Sequence, residues 1–177
     1  MRTAIDPHAW NRNGKAAMRI WVTRPEQDAA VLRARLVAQG HEVVVEPLLI
    51  IDFEEADPIE PVGVQALIAT SRNGVRAAAE SIEADYLRQL PLFAVGPGTA
   101  STAEALGFVR IIRGPSTAQA LLDKIIDRSN VNDGALLHLA GGNLAFDLAG
   151  ELTARGIMSY NPRFTLPERQ LIYQPSF

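Results

Sequence analysis

The 177-residue chain has no cysteine. That excludes disulfides, thiolate zinc sites and a cysteine nucleophile, and it fits a reducing compartment. Its three histidines, His8, His41 and His138, are scattered, with no pair at helical ligand spacing. Apolar runs are of strand length, far short of a membrane span. The first residues are polar and mixed, with no apolar core of a secretory signal. Positive charge is not in excess. The formal net charge is −3, so no global basic field exists to attract nucleic acid or an anionic membrane. The G-x-x-x-x-G-K-[ST] and G-x-S-x-G patterns are both missing, which removes a P-loop and a nucleophile elbow. Hydrophobic content of 47% and charged content of 21% are those of a folded globular protein and argue against disorder.

What is present is an alternation of strand and helix patterns. Residues 1–17 show no period and read as a disordered extension; Met18 stands directly before the first strand pattern, at 19–23. A helix is expected over about 25–39, with Ala29, Leu32 and Leu36 on one stripe. Thr23-x-x-Glu26 reads as its capping box and Gly40 as its stop. A strand through Val43–Val45 and an extended run over 48–53 complete a partial first α/β unit and connector, residues 18–53. The acidic, proline-rich stretch 54–63 is a linker, and its Glu54, Glu55 and Asp57 read as solvated charge. A second α/β domain follows over 64–157. Its expected strands are 66–70, 92–95, 109–112 and 135–139. Its expected helices are 72–82, capped by Ser71; 98–106, with a box at Ser101-x-x-Glu104; one capped by Ser116-x-x-Gln119; and one opened by Asn143 and ended by Gly156. Alternating strands and helices predict parallel sheet. Residues 158–177 hold two prolines and no strand alternation, so they read as an aberrant tail, as though the chain were truncated or frame-disrupted after about 157.

Five strand-to-helix junctions carry hydroxyl, Gly, Pro or Asn residues: Thr23-Arg24-Pro25, Thr70-Ser71-Arg72-Asn73, Gly96-Pro97-Gly98-Thr99, Gly114-Pro115-Ser116-Thr117 and Gly141-Gly142-Asn143. A helix N-terminus leaves backbone N–H groups unpaired and carries partial positive charge. In open α/β sheets ligands settle beyond the strand carboxyl ends. Each junction taken singly is explained by capping and turns. Their repetition at one sheet edge points to an anionic ligand. Gly96-Pro97-Gly98 lacks the third glycine of a dinucleotide fingerprint, Ser101 standing in its place.

The same segments, in order, resemble uroporphyrinogen-III synthases. The carriers are Val22-Thr23-Arg24-Pro25-Glu26 with Gly40-His41-Glu42-Val43 and Glu46-Pro47-Leu48; Ala66–Val75; Phe93–Ala100 with Gly107-Phe108; and Leu136–Gly142. The resemblance covers about 19–157. It implies a cofactor-free, metal-free cytoplasmic lyase of porphyrin and heme biosynthesis that closes hydroxymethylbilane into uroporphyrinogen III with inversion of the last pyrrole ring. It also implies two α/β domains joined by a two-stranded connector, the first domain built from both chain ends and here incomplete. The substrate is a linear tetrapyrrole with eight carboxylates, and catalysis is by positioning. Carried over by position, Thr23, Arg24, Thr70, Ser71, Asn73, Gly96, Thr99 and Gly141 are the expected substrate-binding residues. No catalytic residue is assigned: the tyrosine of the resemblance has no secure match, since Tyr160 and Tyr173 lie in the tail. Ala140-Gly141-Gly142-Asn143 replaces the family arginine at the last junction. Three functions stay open: this enzyme, of poor activity if one half is incomplete; a non-catalytic α/β module binding an anionic ligand or partner; and a nucleotide-binding domain. An exposed stripe of Ala29, Leu32 and Leu36 would make the chain prone to oligomerise.

Overall fold

The computed structural model describes residues 17–51, 63–140, 146–161 and 168–170, with 49–51 and 168–170 described by their backbone. The described residues divide between two compact units. One draws on Met1–Asp52 and Glu168–Phe177, the other on Phe53–Pro167.

In the first unit, β1 (Arg19–Val22) and β2 (Glu42–Val45) pair in parallel, and α1 (Glu26–Ala38) crosses between them. The sequence stripe is not exposed. Ala29 is fully buried, and Leu32 and Leu36 are half-buried, because the helix turns this stripe toward the strands. What stands out to solvent is Met18, Trp21, Val31 and Val37. The expected Thr23 capping box does not form. The residue before the helix is Pro25, which makes no side-chain cap, and the first-turn amides of Asp28 and Ala29 take the Pro25 carbonyl. A proline at that position holds the entry angle without a cap hydroxyl. Gly40, at φ 84°, ends the segment in the left-handed conformation expected of a glycine after a helix. β3 (Leu49–Ile51) pairs antiparallel with β9 (Glu168–Gln170).

The second unit is a five-stranded, all-parallel sheet. Its strands are β4 (Val64–Ala69), β5 (Pro91–Ala94), β6 (Arg110–Arg113), β7 (Ala135–Leu139) and β8 (Ser159–Tyr160), in the order β6-β5-β4-β7-β8. α2 (Arg72–Glu80), α3 (Ala84–Leu87) and α4 (Gly96–Ala105) pack on one face with Leu67, Leu92 and Leu137. α5 (Ala118–Ile126) and α6 (Leu148–Thr153) pack on the other with Ile68, Phe93 and Leu136. Because both faces are covered, the central strands read as apolar runs, Ala66–Ala69 without a break and Ala135–Leu139 broken only by His138, all buried.

Three sequence expectations need correction here. α4 begins at Gly96, not 98, so Ser101 and Glu104 lie inside the helix and form no cap box. α5 is capped by Thr117, whose Oγ1 accepts from the Ala120 amide at 3.2 Å, and not by Ser116. α6 begins at Leu148 behind an Asp147 cap, so Asn143, outside the described residues, does not open it. α3 was not foreseen: four residues are too few to show a helical period.

The segment after Gly156 is also corrected. Met158 accepts a hydrogen bond from the Leu136 amide at 2.8 Å, and Ser159 and Tyr160 pair in parallel with Leu136 and Leu137. Residues 168–170 then form β9. Strands of two and three residues are too short to show alternation, so register against a neighbour is what defines them.

Candidate functional site

The chain runs outward from β4 through β5 to β6, then returns to the other side of β4 with β7 and β8. Strand order therefore reverses between β4 and β7, and in open parallel sheets the crevice beyond the carboxyl ends at such a reversal is where ligands bind. The carboxyl end of β4 is Ala69, followed by Thr70 and Ser71; that of β7 is Leu139, followed by Ala140.

Backbone hydrogen bonds lay three junctions side by side along this edge. The Val95 amide donates to the Ala69 carbonyl at 2.9 Å, Gly114 to Ala94 at 2.9 Å, and Gly96 to Pro115 at 2.9 Å. Gly96 has φ 73°, the left-handed turn that lets the chain pass from β5 directly into α4.

Ser71 caps α2: its Oγ accepts from the Gly74 amide at 3.2 Å. Gly74 is required there. A Cβ on it would lie 2.1 Å from the Leu139 carbonyl oxygen, so α2 meets the end of β7 backbone to backbone. Asn73, in the first turn, accepts from Arg76 Nη1 at 2.8 Å. The guanidinium of Arg72 reaches across to the next junction: a Cβ on Gly98 would lie 3.1 Å from its Nε. A cation is thus set over the N-terminus of α4, an end that is itself partially positive. Like charge gathered at one place favours an anion there. Thr99, 6% exposed, lies in the same first turn.

The second side of the crevice holds a residue the sequence reading passed over. His138 on β7 is 2% exposed, and its Nε2 lies 3.4 Å from the Thr70 hydroxyl. Burial lowers its pKa from 6.5 to about 4, which keeps the ring neutral. Its isolation from the other histidines hid it, because only the β4–β7 register brings position 138 beside 70. Tyr160, read with the tail, is the last residue of β8 and pairs in register with Leu137, in the middle of β7.

The structure thus gathers Thr70, Ser71, Asn73, Gly96 and Thr99 along one edge of the second unit. Thr23 and Arg24 lie in the first unit, both exposed, at the carboxyl end of β1. Gly141 lies outside the described residues.

An open parallel sheet covered on both faces, with hydroxyls, helix N-termini and an arginine at its strand reversal, defines a doubly wound α/β protein suited to an anionic ligand. The sequence comparison is narrower. The family described as uroporphyrinogen-III synthase HemD matches residues 30–160, most of the chain, and the chain belongs to that family. Among solved structures, it is similar to uroporphyrinogen-III synthetase from Helicobacter pylori, with 19% identity, 83% of this chain and 59% of that chain covered, and a TM-score of 0.52. It is similar to the same degree to a mutant uroporphyrinogen III synthase from Thermus thermophilus, with 17% identity, coverage of 84% and 61%, and a TM-score of 0.52. At such identities the likeness is one of fold. The chain spans about 60% of the length of the solved structures it matches. No curated protein matches it.

Proposed function

We propose that this chain acts on hydroxymethylbilane, a linear tetrapyrrole, closing it to uroporphyrinogen III with inversion of the last ring. The observation that carries the proposal is the family match over residues 30–160, joined to a sheet edge built of anion donors. A substrate with eight carboxylates needs many fixed donors, and Thr70, Ser71, Asn73, the amide of Thr99 and Arg72 supply them from pre-set elements. Thr23, Arg24, Gly96 and Gly141 belong to the same reading. The rate then comes from holding the bilane so that the substituted carbon of its last ring attacks, rather than the free one. Donors aimed at developing charge add to this.

Loss of the terminal hydroxyl starts the reaction, and no proton donor is assigned to it: Tyr160 pairs in register with Leu137, in the middle of β7 and short of the strand carboxyl ends. The cytoplasm, where the resemblance sets this chemistry, belongs to the same proposal; among the described residues no helix is long and apolar enough to cross a membrane. So does self-association through the apolar surface of the first unit, now Met18 and Trp21 in place of the α1 stripe; a single concentration-independent monomer on size exclusion would remove it.

The test is turnover of freshly made hydroxymethylbilane, scoring isomer III against isomer I. Isomer III is expected, above its uncatalysed yield. Isomer I alone, at the uncatalysed rate, would refute the activity. Tight binding of uroporphyrin without turnover would instead assign a non-catalytic binding module.

A further inference from the structure

Of the groups at the strand reversal, one pair is built in a way the reaction outlined above does not require. His138 and Thr70 face each other across the β4–β7 seam, Nε2 to Oγ1 at 3.4 Å. Alternation places both on the sheet face that carries Ile68 and Leu136, where α5 and α6 cover the strands. The imidazole is closed off from solvent, while Thr70 is half-buried at the end of its strand.

A hydroxyl has one hydrogen to give. If Thr70 gave it to the imidazole, only lone pairs would face the crevice, and they would repel a carboxylate. If the imidazole donates instead, the hydroxyl oxygen is satisfied from behind and its hydrogen turns outward. We infer that His138 is a positioning residue: it carries its proton on Nε2, donates to Thr70 Oγ1, and so holds the Thr70 hydroxyl as an outward donor to a ligand carboxylate. This rests on the reading of Thr70 as a contact to a polycarboxylate. A neutral ring suits the task, since it stays in one protonation state across the pH range in which carboxylates are charged.

Two measurements on the full chain decide it. The first needs no ligand: imidazole ¹⁵N shifts, assigned by loss of the signal in His138→Gln, report the tautomer. Proton on Nε2 is expected; proton on Nδ1 with Nε2 as acceptor overturns the inference. The second titrates uroporphyrin, a stable octacarboxylate, in a double-mutant cycle. His138→Phe should weaken binding about tenfold, the order of one hydrogen bond to a charged group. His138→Gln, whose amide nitrogen can still donate, should restore most of it. In a Thr70→Val background His138→Phe should cost nothing further. An equal loss in both backgrounds shows a merely structural role and overturns the inference. Failure of the parent chain to bind uroporphyrin counts against the proposed function, and the tautomer then still decides the His138–Thr70 geometry.

Discussion

At the scale of single residues, close approach and burial govern this molecule. Gly74 has no Cβ because the Leu139 carbonyl occupies its place at 2.1 Å. Neither partner can move cheaply, since both belong to main chain. Gly74→Ala is therefore expected to destabilise by about 1–3 kcal/mol or more, read as a lower urea midpoint. It should also disturb the Ser71 cap, which depends on the Gly74 amide. Gly98→Ala is expected to be milder, because what it meets is the end of the flexible Arg72 side chain. Its effect should appear in ligand affinity more than in Tm. His138 yields a pH prediction. Its folded pKa lies below its unfolded value, so the unfolded chain takes up the proton first as pH falls. Stability is unaffected above pH 6.5 and declines from there toward pH 4. The loss contributed by His138 approaches roughly 3 kcal/mol at the acid limit. Urea unfolding of the parent and His138→Gln at pH 7.5 and 4.5 checks this. The gap between them should narrow or reverse at the lower pH; a constant gap would contradict it.

At the scale of elements, the caps show how far local sequence reaches. Ser71 was legible because Thr70-Ser71 follows an apolar strand, and the structure seats its hydroxyl on the Gly74 amide. Thr117 was missed by one place, since Ser116 and Thr117 are both good caps and only the chain's path selects between them. Ser71→Ala and Thr117→Ala should each cost about 1 kcal/mol in denaturant unfolding. The two should differ in function. Ser71 lies at the strand reversal, so its loss should also weaken uroporphyrin binding; Thr117 should leave that binding within about twofold. Similar binding losses for both would count against the site as drawn. The start of α4 was placed two residues late, because Gly96-Pro97-Gly98 reads as a turn. Gly96 in the left-handed conformation and proline's tolerance for a first helical turn put all three within the helix.

At the scale of the whole molecule, the two units are unequal. Among the described apolar residues, the first unit fully buries only Val22 and Ala29, whereas the second has a core on each face of its sheet. Local stability follows buried apolar contact. Amides of β4, β5 and β7 are thus expected to exchange with deuterium far more slowly than those of β1 and β2. Equal protection in both units would show that the first is held by more than its own described residues. The antiparallel β3–β9 pair brings a segment beyond residue 167 back to the first unit. This is a different account of that segment from an aberrant tail.

Much of the second unit was written in the chain itself. The period of the longer helices, the largely apolar strands and the hydroxyl-rich junctions are local properties, set by neighbouring residues and their caps. They were enough for parallel α/β architecture and for the family. The order of the strands was not local, and from it came the rest. Pairing β4 with both β5 and β7 created the reversal and, by setting Ile68 opposite His138, brought Thr70 within reach of the imidazole; pairing with β7 made a strand of Ser159-Tyr160. Such choices depend on which distant residues exclude water together. A single segment carries no record of its partner; the partner's register and the shared core decide it.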